Sequence, residues 1–121
     1  MDYQIEGNRD ELAEAVVGHR IVAVEELKRN GWDESGVKLT LDNGKVVHMR
    51  GTSDCCAGGW INDFLFNEKL ADHIITDVKV EDDEETWFIL ADMAEVLKLD
   101  TAWSEGSGYY SYGFSISVED A

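Results

Sequence analysis

The chain is predicted to be an α+β protein: one domain spanning residues 1–121, built on a mostly antiparallel, bent sheet of about seven strands, with one or two short helices packed on it. Three observations predict this. Val37, Leu39 and Leu41 alternate with Lys38, Thr40 and Asp42, which is the period of a half-buried strand. Asp42-Asn43-Gly44 follows directly and has the composition of a hairpin turn. Leu12, Ala15 and Val16 repeat instead at helical spacing. With 121 residues, 44% of them hydrophobic, the chain has the apolar material for a core of its own, so its acidity does not imply disorder.

The elements follow in order. Asn8 and Glu11 have a capping-box-like spacing, which predicts a helix over 9–18 that stops near Gly18. Residues 20–120 form the β-rich body. Arg20–Glu26 contains the compact strand Ile21-Val22-Ala23-Val24, and Lys28–Ser35 reads as a polar loop. The hairpin register can be argued from the pleat. A two-residue Asn-Gly loop would pair Leu39 with His48 and put His48 on the apolar face. A three-residue loop with Gly44 in the left-handed conformation pairs Leu39 with Val47 and Val37 with Met49. The second choice keeps every apolar residue on one face, and it turns His48 to the other.

Gly51–Gly59 is a small-residue loop, and Trp60, Ile61, Phe64 and Leu65 behind it mark the stripe of a short helix near 60–70. His73–Glu81 reads as a strand with Ile74, Val78 and Val80 on one face. Residues 81–85 are an acidic turn. The continuous apolar run Trp87–Ala91 fits a strand buried on both faces. Leu97, Leu99, Thr101 and Trp103 continue with period two. Gly106-Ser107-Gly108 turns the chain into a terminal strand in which Tyr110, Tyr112, Phe114, Ile116 and Val118 share one face.

Charge bounds the function. Twenty-six acids face ten Lys and Arg, a net charge of −16, which repels nucleic acid and anionic membrane and favours a basic protein or a cation as partner. The acidity is uneven, because the only bases after Ile74 are Lys79 and Lys98. No basic and apolar leader follows Met1, and no apolar run approaches the roughly 18–20 residues of a membrane helix. The two cysteines, Cys55 and Cys56, are adjacent and cannot staple distant segments, so a reducing cytoplasm is the expected home.

Two segments are candidate sites. Asp82, Asp83, Glu84 and Glu85 concentrate negative charge at a hairpin tip, where they are either a binding surface or a solvated turn. They lack the spacing and internal glycine of a calcium loop. Asp54, Cys55, Cys56 and Trp60 form the second candidate, a ligand loop. Small residues ahead of a helix could offer N–H groups to an anion, and a cysteine near that helix start could be activated, with His48 or His73 as its base. The surrounding negative charge opposes both effects, and tight packing of small residues is the plainer reading. Adjacent cysteines with His48 and His73 fit a zinc tetrahedron poorly, and no metal or cofactor is expected. Tyr109, Tyr110 and Tyr112 could stack on bases, but no basic groove accompanies them in sequence. No catalytic signature such as a nucleophile elbow, P-loop or zincin motif occurs.

Three stretches together resemble a known family: Gly51–Trp60 around Asp54-Cys55-Cys56, then His73–Val78, then Trp103–Phe114 with Tyr109-Tyr110. They are similar to small acidic proteins of actinobacterial phages and their hosts, a domain of unknown function, over roughly residues 36–120. The resemblance implies a phage origin and assigns no catalytic residue. The expected function is therefore that of an acidic accessory protein that occupies a basic host protein, acting as a mimic of DNA through 82–85. The alternatives are a small-ligand or thiol-dependent enzyme at Asp54-Cys55-Cys56 and a structural assembly protein.

Overall fold

The computed structural model describes residues 3–31, 33–53, 57–105 and 113–120. One helix, α1 (Tyr3–Val16), precedes eight strands: β1 (Ile21–Leu27), β2 (Gly36–Leu41), β3 (Lys45–Gly51), β4 (Ala57–Phe66), β5 (Asp77–Val80), β6 (Thr86–Ala91), β7 (Ala94–Glu105) and β8 (Phe114–Asp120). The strands form two antiparallel four-stranded sheets, in the orders β1-β2-β3-β8 and β4-β7-β6-β5. The architecture is therefore mostly β, with eight strands in two sheets, and corrects the expected α+β fold with one bent sheet of seven. The apolar faces of both sheets share one core, in which Leu39, Val47 and Met49 of the first sheet join Trp87, Ile89, Leu97 and Leu99 of the second. No described helix is long and apolar enough to cross a membrane.

The β2–β3 hairpin has the register argued from its pleat. Val37 lies opposite Met49 and Leu39 opposite Val47. Gly44 has φ 81°, the left-handed conformation that a three-residue loop of this kind requires. His48 pairs with Lys38 on the face away from the core.

The expected helix near 60–70 is instead β4, followed only by a single 3-10 turn, Glu68–Leu70. A bulge explains why the pattern looked helical. Ile61 lies opposite Thr101 but Asp63 lies opposite Asp100, so Asn62 is an extra residue. One added residue puts the two inward side chains, Ile61 and Phe64, three positions apart. Three is also the spacing of a helical stripe. A second bulge at Val22 likewise separates Ile21 and Val24.

Helix α1 starts earlier than the expected Arg9, and Asn8 lies inside it rather than capping it. Leu12 and Val16 are buried as the spacing predicts, and Ile5 extends that stripe. The helix lies beside β5 and β8, the strands that end the two sheets on that side. Such edges carry unpaired backbone groups, and covering them removes a route to aggregation. The buried Asn8 bonds to β8 in both directions. Its Oδ1 accepts from the Phe114 N–H at 2.8 Å, and its Nδ2 donates to the Phe114 carbonyl at 2.9 Å.

Three smaller expectations are corrected. The core residue ahead of β5 is Ile75, which is fully buried, while Ile74 is exposed. The connection 71–76 precedes a strand of only four residues. β6 is buried on one face, through Trp87, Ile89 and Ala91, whereas Phe88 and Leu90 are half-buried. Twist and solvent on the outer face make it an antiparallel strand with an ordinary two-sided environment.

The sheets meet at a corner between β2, β3 and β4. The Ser35 carbonyl accepts from the Gly51 N–H and from the Ile61 N–H, each at 3.2 Å, so one oxygen ties strands of both sheets. A Cβ at Gly51 would collide with the Gly59 carbonyl oxygen, so this crossing requires glycine.

Candidate functional site

The acidic turn lies at the tip of the β5–β6 hairpin. Glu81 N–H donates to the Thr86 carbonyl at 2.9 Å, which closes the turn. Glu84 takes φ 59°, an uncommon conformation for a residue with a side chain. Asp83 holds the turn in shape: its Oδ1 accepts from the N–H groups of Glu85 at 2.8 Å and Thr86 at 3.1 Å. Those backbone bonds, that from Glu85 first, hold the Asp83 carboxyl below its ordinary pKa. Thr101 of β7 secures the base of the tip, its N–H and Oγ1 both donating to the Glu85 carbonyl at 2.7 and 2.9 Å. Of the four predicted residues, Asp83 therefore shapes the loop, and Asp82, Glu84 and Glu85 are the charges it displays. Asp82 and Glu85 are exposed, and Glu84 is half-exposed.

The negative surface continues onto the outer face of the second sheet. Thr86 lies opposite Asp100, and Asp100 lies opposite Asp63. Like charges directly opposite each other disfavour the pairing of strands, and here Asp63 accepts from the Phe64 N–H at 2.8 Å while Asp100 has Lys98 beside it. Two ion pairs lie on this face, Lys79 to Glu81 at 3.7 Å and Lys98 to Asp100 at 4.0 Å. Asp63 and Asp100 are far apart in sequence, and only the strand register brings them together. The β4 bulge hides that register from pattern reading.

The second candidate is only partly described. Asp54, Cys55 and Cys56 lie outside the described residues, between Ser53 and Gly58, which form an isolated bridge. The chain beyond Gly59 is strand, so the helix N-terminus invoked to bind an anion or activate a thiol does not follow this loop. His48 stands on the outer face of the first sheet, and its Nδ1 is buried without a hydrogen bond. His73 is exposed. No group of three His, Cys, Asp or Glu among the described residues is placed to hold a metal ion. Tyr109, Tyr110 and Tyr112 also lie outside the described residues.

Trp60 does have a described place. It lines a groove of about 330 Å³ with Glu26, Arg29, Glu34, Ser35 and Ile61. The groove opens between β1 and β4, the edges of the two sheets opposite the helix-covered side. Glu34 is 7% exposed, although it comes from the segment that reads as a polar loop. Sequence pattern offered no signal for this burial, because Glu34 has no periodic apolar neighbours.

The comparisons with known proteins yield a family without an activity. A family model described as a domain of unknown function, DUF7448, matches residues 14–116. No curated protein and no solved structure matches the chain.

Proposed function

The chain belongs to the DUF7448 family, a domain of unknown function, and we propose that it acts by binding a basic partner protein rather than by catalysis. The observation that supports this most is the construction of the 82–85 tip. Asp83 and Thr101 spend their hydrogen bonds on fixing its backbone, and the neighbouring carboxylates face solvent. A rigid display loses less entropy on binding than a flexible acidic run. The Asp63–Asp100 pair extends the same charge across the sheet and gains a role once a cationic surface lies against it. At a net charge of −16 the whole molecule attracts such a surface from a distance.

The partner is a basic, DNA-binding host protein, and the acidic face competes with DNA for its groove. The host assignment rests on the resemblance to small acidic proteins of actinobacterial phages, and under it the encounter would take place in the host cytoplasm. The test compares capture from actinobacterial lysate by the native protein and by an Asp82→Asn, Glu84→Gln, Glu85→Gln variant, at low and high salt. Asp83 is left intact because it shapes the turn. Loss of one salt-sensitive basic protein from the variant's catch supports the reading, with association slowed roughly tenfold or more. An identical catch for both proteins rejects it.

A further inference from the structure

We propose that the groove between β1 and β4 is a guanidinium-binding site, built to take an arginine side chain of a basic polypeptide. The floor is Glu34. A carboxylate so nearly sealed from water is costly unless it is paired and hydrogen-bonded. Its Oε1 is buried and has no hydrogen bond. Arg29 Nε lies 3.0 Å from that oxygen, close enough for charge but off the line a hydrogen bond needs. Arg29 lines the groove with a side chain that is 69% exposed, and its Nε also donates to the Gly31 carbonyl at 3.5 Å.

The rest of the lining suits the same group. Trp60 supplies an aromatic wall, on which guanidinium ions stack more favourably than on any other side chain. Glu26 adds a second carboxylate at the rim, and the Ser35 hydroxyl is already committed to the Ile61 carbonyl at 2.9 Å. Two carboxylates and an indole face one resident cation. That cation shows what the groove accepts, and its exposure shows that it can be replaced. Arg50 donates to the Lys28 carbonyl at 3.2 Å and the Glu34 carbonyl at 3.0 Å, which fixes the backbone that carries Glu34. The incoming arginine would displace Arg29 to water, take its place beside Glu34 Oε1 and lie against Trp60.

This site deepens the reading of a basic partner and rests on it, but it is separate from the 82–85 tip. The experiment titrates isotope-labelled native protein with acetyl-arginine amide, and with its norleucine counterpart as control, following the Trp60 indole N–H by NMR. Saturable shifts at Trp60 with the arginine probe alone are expected. Glu34→Gln should weaken the probe roughly tenfold or more, since it removes a buried charge partner. Arg29→Met is the sharper variant, because it removes the resident cation itself, and its far-UV circular dichroism is compared with native before the titration to show that the fold persists. It should tighten the probe up to about fivefold, the range of an exposed ion pair. The Asp82→Asn, Glu84→Gln, Glu85→Gln protein should bind the probe as the native protein does, so failure of the tip and failure of the groove give different results. No saturable shift at Trp60, or an Arg29→Met protein that binds no more tightly than native, overturns the proposal. Equal shifts with the norleucine probe overturn it as well.

Discussion

At the residue scale, two side chains determine more than their position in sequence suggests. Asn8 joins helix to sheet by donating to and accepting from the backbone of Phe114. An aspartate of the same shape could accept but could not donate at neutral pH, and its charge would face the Phe114 carbonyl. Asn8→Asp should therefore lower the stability by about 2 kcal/mol or more, read as a fall in the urea midpoint. A value within experimental error of native would show that the bridge contributes little. Asp83 makes a prediction about acid. Its pKa is depressed in the folded protein by the backbone bonds from Glu85 and Thr86, so its contribution is complete above the ordinary carboxylate pKa. That contribution is lost as pH falls through the lower folded value. Asp83→Asn removes this acid-sensitive part, so the stability gap between native and variant should narrow as pH falls through and below the ordinary carboxylate range. A gap that stays constant over that range would show that the bonds to Asp83 do not distinguish its charged form.

At the element scale, the β6–β7 hairpin turns through Asp92 and Met93, whose φ angles are 49° and 72°. A turn with both central residues left-handed is the ordinary two-residue hairpin connection, but glycine is the usual second residue. Met93 is 89% exposed and contributes little packing to offset that strain. Met93→Gly should raise stability by about 0.5–1 kcal/mol, visible as a higher melting temperature. An unchanged or lower melting temperature would mean that the methionine side chain contributes where it lies. The same elements show what pattern reading can reach. The β2–β3 register was legible because alternation was unbroken and Gly44 allowed one consistent turn. β4 was not, because the extra residue at Asn62 shifted Ile61 and Phe64 to helical spacing. The division into two sheets was equally hidden, since it depends on a backbone crossing at Gly51 and Ser35 and not on any run of apolar residues. Of the candidate sites, the acidic tip was legible as a run of charge. The role of Asp83 within it, the Asp63–Asp100 pair and the burial of Glu34 all depend on tertiary neighbours.

At the scale of the whole molecule, the two ends of the sandwich differ. On one side α1 packs beside β5 and β8, and on the other the edge strands β1 and β4 flank a groove that holds the buried Glu34. The acidic tip, Thr101 and Ile61 are joined through consecutive backbone pairings, so tip and corner form one continuous framework. If the chain binds a basic surface as proposed, the long-range attraction of its net charge of −16 should fade with salt. The most direct measurement of that claim is displacement. The basic protein captured by the native chain is loaded with labelled duplex DNA, and the chain is added at increasing concentration. The account predicts that the DNA is released, and that the Asp82→Asn, Glu84→Gln, Glu85→Gln variant needs roughly tenfold more protein to release it. DNA that stays bound, or is released equally by both proteins, would contradict it.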